Sequence, residues 1–144
     1  MAVTSKVYYK AITSVFNKEI DWGTDTIMVS LHSSSYTPSQ SAHDYWDDAT
    51  GEITGTGYTA KGQALGTKTE TFSSNVKQFD AADVVWATST ITARYAVVYD
   101  QVSVTTASLN PLIAYVDFGE DVVSTGGNFT ITWDSTGVFT VTVS

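Results

Sequence analysis

The side chains able to do acid–base or metal chemistry fall into a few short stretches. Asp44, Asp47, Asp48 and Glu52 form one acidic group, and Asp117, Glu120 and Asp121 form a second. Clustered carboxylates are hard oxygen ligands of the kind that hold Ca²⁺. Neither group has the spacing or glycine position of an EF-hand loop, so a solvated acidic loop is the plainer reading of both. Paired carboxylates also serve glycoside hydrolysis, but only at a defined separation across the sugar bond, which sequence spacing does not supply. The two histidines, His32 and His43, lie outside any His-Glu-x-x-His or Gly-x-Ser-x-Gly pattern. Both read as loop residues.

Gly55-Thr56-Gly57-Tyr58-Thr59-Ala60 has the form of a dinucleotide-binding turn. That turn works only between a strand and a helix whose N-terminus meets the pyrophosphate. The residues after it, Lys61-Gly62-Gln63-Ala64-Leu65-Gly66, include two glycines and have poor helix character, so the segment reads as a loop. Cysteine is absent, which excludes disulfides and thiolate-held metals. No catalytic residue, metal or cofactor is therefore expected.

Arg94 and the aromatic residues point to binding instead. Arg94 stands mid-run between Ala93 and Tyr95, where a charge requires a partner if buried. Asp117 or Asp80 on a neighbouring strand would serve, as would a carboxylate of another subunit, and the planar guanidinium suits either. Trp86, Tyr95, Phe129 and Trp133 fall in strand-like runs and read as core. Trp22, Tyr36, Tyr45, Trp46 and Tyr58 fall in turns and loops. Such aromatics either anchor interfaces, stack on sugars, or close the ends of a core. These five and Arg94 are the candidate interface residues.

These side chains need elements to position them, and the pattern is mainly β. Ile91–Tyr99, Phe129–Trp133 and Val138–Val143 alternate apolar residues with Thr, Ser or Asp. Thr26–Leu31 is apolar or β-branched nearly throughout, as a strand buried on both faces would be. Thr67–Phe72 is weakly hydrophobic, with Lys68 and Glu70 suited to guarding an edge, and Val76–Asp80 comes next at hairpin spacing. Val84–Trp86 and Leu112–Phe118 complete about eight strands. Turns are expected at Asn110-Pro111, Gly119–Asp121, Gly126–Asn128 and Asp134–Gly137, the last as a hairpin. Tyr8, Ile12, Val15 and Phe16 recur with helical period, so one short helix is expected near the N-terminus, capped by Thr4 or Ser5. The stretch from His32 to Lys61 is the longest with weak periodicity and is expected to carry binding. The fold expected is an antiparallel β-sandwich or jelly-roll in one domain, residues 1–144.

Charge narrows the partners. Seven Lys and Arg face fifteen Asp and Glu, a net charge of −8. A nucleic-acid binder needs a basic footprint, and an anionic membrane surface repels this balance. Charged residues are only 15% of the chain, against about 25% in typical domains, with Thr and Ser filling polar positions. Met1–Lys6 lacks the basic and apolar regions of a secretory signal, and no apolar run approaches the ~20 residues of a membrane span.

Several segments together resemble a family. Glu19–Leu31 resembles the opening of small structural proteins of tailed bacteriophages. So do Ser35–Pro38, Gly55–Ala60, Thr90–Arg94, Pro111–Gly119 and Phe129–Trp133, which occur in order from about residue 8 to 140. Some members of that group resemble capsid decoration, or cement, proteins that sit as trimers outside an icosahedral head. The resemblance implies a virion component on the outer capsid surface, a β-sandwich, a homotrimer and the major capsid protein as partner. It marks no catalytic residue. The alternative is a tail-associated receptor- or glycan-binding module using Trp46 and Tyr58 as stacking platforms.

Overall fold

The computed structural model describes residues 2–144. In chain order the regular elements are β1 (Thr4–Val7), α1 (Tyr9–Phe16), β2 (Ile27–His32), β3 (Gln63–Ala64), β4 (Thr69–Ser73), β5 (Val76–Asp80), β6 (Val84–Asp100), β7 (Leu112–Ile131) and β8 (Phe139–Thr142). Single 3₁₀ turns lie at Trp46–Asp48 and Ala107–Leu109. Five strands form one antiparallel sheet in the order β1-β7-β6-β2-β3, and three form a second in the order β4-β5-β8. The protein is a mainly β, two-sheet sandwich with one short helix.

About eight strands are expected and the described residues form eight, but they are cut differently. The runs at Val84–Trp86 and Ile91–Tyr99 belong to one strand, β6. Those at Leu112–Phe118 and Phe129–Ile131 belong to one strand, β7. Gly119 and Gly126, which read as turns in sequence, instead sit at irregularities in the β6–β7 ladder. Ala93 pairs with Val122 while Tyr95 pairs with Asp117, and Ser89 pairs with Gly127 while Thr90 pairs with Thr125. Bulges of this kind bend and twist a long pair without ending it. Two short strands, β1 and β3, make up the count. Thr4 and Ser5 do not cap the helix. They lie in β1 opposite Asp117 and Val116, and Tyr8 occupies the helix boundary in extended conformation.

The β4–β5 hairpin is as expected. Ser74 and Asn75 both have positive φ, the twist that matches a two-residue hairpin to its strands. Lys77 pairs with Glu70 at 2.7 Å on this exposed edge. The turn at Asp134–Gly137 also forms, with the Gly137 amide donating to the Asp134 carbonyl at 2.8 Å. It does not make a β7–β8 hairpin, because β8 crosses to the other sheet and pairs with β5.

The large sheet is buried on both faces. Ile27, Val29 and Leu31 of β2, with Ala96 and Val98 of β6, face the core between the sheets, alongside Trp86, Phe129 and Ile131. Phe79 and Phe139 of the small sheet close that core, their rings stacked at 4.5 Å. Met28, Val97, Tyr99, Leu112 and Tyr115 face the other way into a tyrosine-rich cluster with Tyr8 and Tyr36. Within the stretch from His32 to Lys61, Tyr36, Trp46 and Ala49 pack on that second face while Ile53 and Tyr58 pack on the core between the sheets, and bridges His32–Glu52, Tyr45–Pro111 and Thr56–Thr90 stitch the stretch to the sheets. It is a packed cover for the sheet, where the sequence suggested a free excursion.

Candidate functional site

Of the carboxylates singled out in the sequence, Asp44, Asp48, Glu52 and Asp117 are held in separate structural bonds. Asp44 pairs with Lys10 of α1 at 2.9 Å. Asp48 accepts the Asp44 amide at 2.9 Å. Glu52 accepts the Tyr58 hydroxyl at 2.8 Å and the Lys61 amide, and burial raises its pKa above the ordinary glutamate value. Among the described residues, no three His, Asp or Glu side chains gather as a metal site. The glycines of Gly55–Ala60 serve close packing: a Cβ on Gly57, whose φ is +82°, would meet the Ser89 Cα at 2.9 Å.

Arg94 finds one of its two expected intramolecular partners. Its Nε donates to Asp117 Oδ1 at 2.8 Å across the β6–β7 bulge, and Asp80 is not involved. The guanidinium holds the Asp117 carboxyl below the usual aspartate range.

His32 is not a loop residue. It ends β2, fully buried, with Nδ1 2.7 Å from the Thr50 carbonyl and Nε2 2.8 Å from Ser30 Oγ. A carbonyl only accepts, so Nδ1 carries the proton and Nε2 accepts from Ser30. Ser30 Oγ in turn accepts the Trp46 indole N–H at 3.0 Å. This serine–histidine pair has nucleophile geometry, but both side chains are sealed from solvent and the third group is a carbonyl. Its work is to fasten the cover loop to β2. His43 stacks on Tyr36 at 5.6 Å.

A further acid pair was not visible in sequence. Asp100, at the end of β6, is buried with no donor to its Oδ2. Burial first, and the neighbouring Asp25 carboxyl second, push its pKa to about 8. Both causes favour the protonated form of Asp100.

His32 and Asp100 bend the stability profile in opposite directions. Burial lowers the His32 pKa from 6.5 to about 4, so its contribution is present above pH 6.5 and fades as pH falls toward 4. Asp100 has a raised pKa, so the fold holds a proton that the unfolded chain releases. Stability therefore declines as pH rises from about 4 through about 8. Asp100→Asn should raise Tm at pH 8 relative to wild type and leave it nearly unchanged at pH 4. His32→Gln should flatten the acid limb between pH 6.5 and 4 while lowering Tm at neutrality. Thermal melts of both variants across this range check the signs.

The candidate interface aromatics turn inward to differing degrees. Trp22, a candidate interface residue, is buried between the sheets, edge-on to Phe79 and Phe139, with its indole N–H on the Thr69 carbonyl at 3.2 Å. Tyr36 is buried too, its hydroxyl 2.7 Å from that of Tyr8. An aromatic ring gains more from closing a core than from exposure, and these two are corrected to core residues. Trp46 is half-buried against Tyr99 at 5.4 Å, and Tyr58 packs over Trp86 at 6.1 Å. Tyr45 donates its hydroxyl to Glu19 at 3.2 Å.

The open apolar surface lies instead at α1. The helix meets the sheet through Ala11 and Ser14, with Tyr8 buried at its start. Tyr9, Ile12, Val15 and Phe16 remain exposed, Phe16 at 83%. The helical period holds, but of the stripe it marks only Tyr8 is buried, and Ile12, Val15 and Phe16 point away from the core. Ile12, Val15 and Phe16 form one wall of a groove of about 450 Å³, and Phe79, Phe139 and Val141 of the small sheet line it from the other side. Sequence reasoning names the stripe but assigns it to packing, because periodicity does not say which side of a helix meets the sheet.

Compared with protein-family models, curated proteins and solved structures, the chain matches none of them.

Proposed function

We propose that this chain is a structural protein of a tailed-phage virion, a decoration or cement protein that binds the outer capsid surface as a homotrimer and reinforces the head. The observation that carries this reading is the uncovered apolar groove beside α1, set on an acidic, Thr-rich sandwich in which Asp44, Asp48, Glu52, Asp117 and both histidines are engaged in structural bonds. Exposed apolar surface of this kind marks an interaction site. The segments that resemble phage structural proteins support the same reading. Attachment would work by multivalent burial of surface, strengthened by the avidity of three linked copies.

The alternative, a tail-associated receptor- or glycan-binding module, used loop aromatics such as Trp46 and Tyr58 as stacking platforms. Both use a ring face and a polar atom within the fold, so that reading loses its motivation. The test is co-sedimentation with tail-free heads of the phage that encodes the chain. Retention on heads, with a higher temperature of head rupture, is expected. A protein that stays in the supernatant at saturating concentration would overturn the proposal.

A further inference from the structure

We infer that Asp25 and Asp100 form a binding site for a divalent cation of the Ca²⁺ type, which clamps the bend before β2 to the end of β6. Neither residue belongs to the acidic groups marked in the sequence. Both line a depression of about 690 Å³ that shares no lining residue with the groove beside α1.

Asp100 is 1% exposed and lines this depression, yet its Oδ2 meets no hydrogen-bond donor. A carboxylate oxygen buried in this way carries a desolvation cost that a proton or a cation must offset. The Asp25 carboxyl stands within hydrogen-bonding reach of it. Two carboxyl groups this close repel when both are ionised, so they call for positive charge between them. Lys68 does not supply that charge. Its ammonium donates to the Asp25 backbone carbonyl, and its influence on Asp100 is weaker than that of Asp25.

Backbone fixes both carboxyls in place. Asp25 Oδ2 accepts the Asp21 amide at 2.6 Å, and the Asp25 amide donates to the Asp21 carbonyl at 2.9 Å. Asp100 stands opposite Ile27 in the β2–β6 ladder, with its own amide on the Pro111 carbonyl at 3.0 Å. A preformed ligand pair loses little freedom when it closes on an ion.

The rest of the lining favours a cation over a proton. A proton between two carboxyls needs nothing further, whereas Ca²⁺ takes roughly six to eight oxygen ligands in flexible geometry. Thr26 and Gln101 line the same depression and bring neutral oxygens. Glu19 and Lys18 line it too, but Glu19 already accepts the Tyr45 hydroxyl at 3.2 Å, which leaves two carboxyls for the ion. Hard oxygen donors without His or Cys select Ca²⁺ or Mg²⁺ over transition metals. A site split between a bend and a strand end suits Ca²⁺, because Mg²⁺ demands near-ideal octahedral geometry. The 21–25 bend also carries Trp22, which packs edge-on against Phe79 and Phe139 of the small sheet. The bound ion therefore braces the joint between the two sheets.

The test is thermal unfolding at neutral pH of wild type, Asp25→Asn and Asp100→Asn, each in EDTA and in millimolar CaCl₂ or MgCl₂. Asparagine keeps the shape of the side chain, and circular dichroism in EDTA verifies that both variants fold. CaCl₂ should raise the wild-type Tm by about 3 °C or more, reversibly with EDTA. MgCl₂ should give a smaller shift, and both variants should lose most of the response to CaCl₂. An equal wild-type Tm in EDTA and CaCl₂ overturns the site. So does a shift that either variant retains in full, since the ion then sits on carboxylates elsewhere. A larger response to MgCl₂ than to CaCl₂ overturns the choice of cation.

Discussion

Gly62→Ala should be among the most destabilising single substitutions in this chain. Lys61 and Gly62 take successive positive φ values of 76° and 85° to turn the chain into β3, which pairs with β2 through Met28–Ala64 and Val29–Gln63. A Cβ at Gly62 would lie 1.8 Å from the Val29 carbonyl oxygen and 2.6 Å from its carbon. Both atoms are backbone of a fully buried strand, so neither can rotate away. The unfavourable conformation costs roughly 1–3 kcal/mol, and relief of the overlap a further ~1–3 kcal/mol. Urea denaturation should show the midpoint falling sharply with the slope unchanged. A loss under about 1 kcal/mol would mean that the turn into β3 adapts more freely than its contacts imply.

Trp86→Ala should destabilise the core by about 3–5 kcal/mol. The indole is buried between the sheets, 6.0 Å from the Phe129 ring and 6.1 Å from Tyr58. Truncation removes the contact surface and leaves a cavity ringed by side chains from β6, β7 and the 55–58 bend. Trp86→Phe should be much milder. The indole Nε1 is buried without an acceptor, and a buried donor lacking a partner costs about 1–3 kcal/mol. Phenylalanine gives up volume but relieves that penalty. Both variants lose the unpaired N–H, so guanidinium unfolding of the two side by side reads the packing difference, and the size of the Trp86→Phe loss shows how far relief of the N–H offsets the lost volume. Equal losses in both would show that this relief offsets nothing.

Local pattern made much of this fold legible. The unbroken apolar run of β2 announced a strand buried on both faces, and the β4–β5 hairpin was readable from its spacing. Arg94 was readable because a charge in an alternating run needs a carboxylate within reach, and Asp117 was a candidate. What escaped depends on long-range geometry. The glycines at 119 and 126 carry turn chemistry, yet the β6–β7 ladder absorbs them as bulges because pairing resumes on either side. The Asp25–Asp100 pair joins residues far apart in sequence. The orientation of α1 escaped for a different reason. Ala11 and Ser14 are small enough to let the helix approach β7 closely, and that contact, rather than the larger stripe, chose the buried side. The loop aromatics illustrate the same limit, since a tryptophan in a turn reads alike whether it anchors an interface or closes a core, as Trp22 does.

The most direct measurement is electron cryo-microscopy of intact virions carrying a tagged copy of this chain. Three-lobed density on the outer head surface, at points where capsid subunits meet, is the expected result. Tagged density confined to the tail, or none on the virion, would contradict the proposed role.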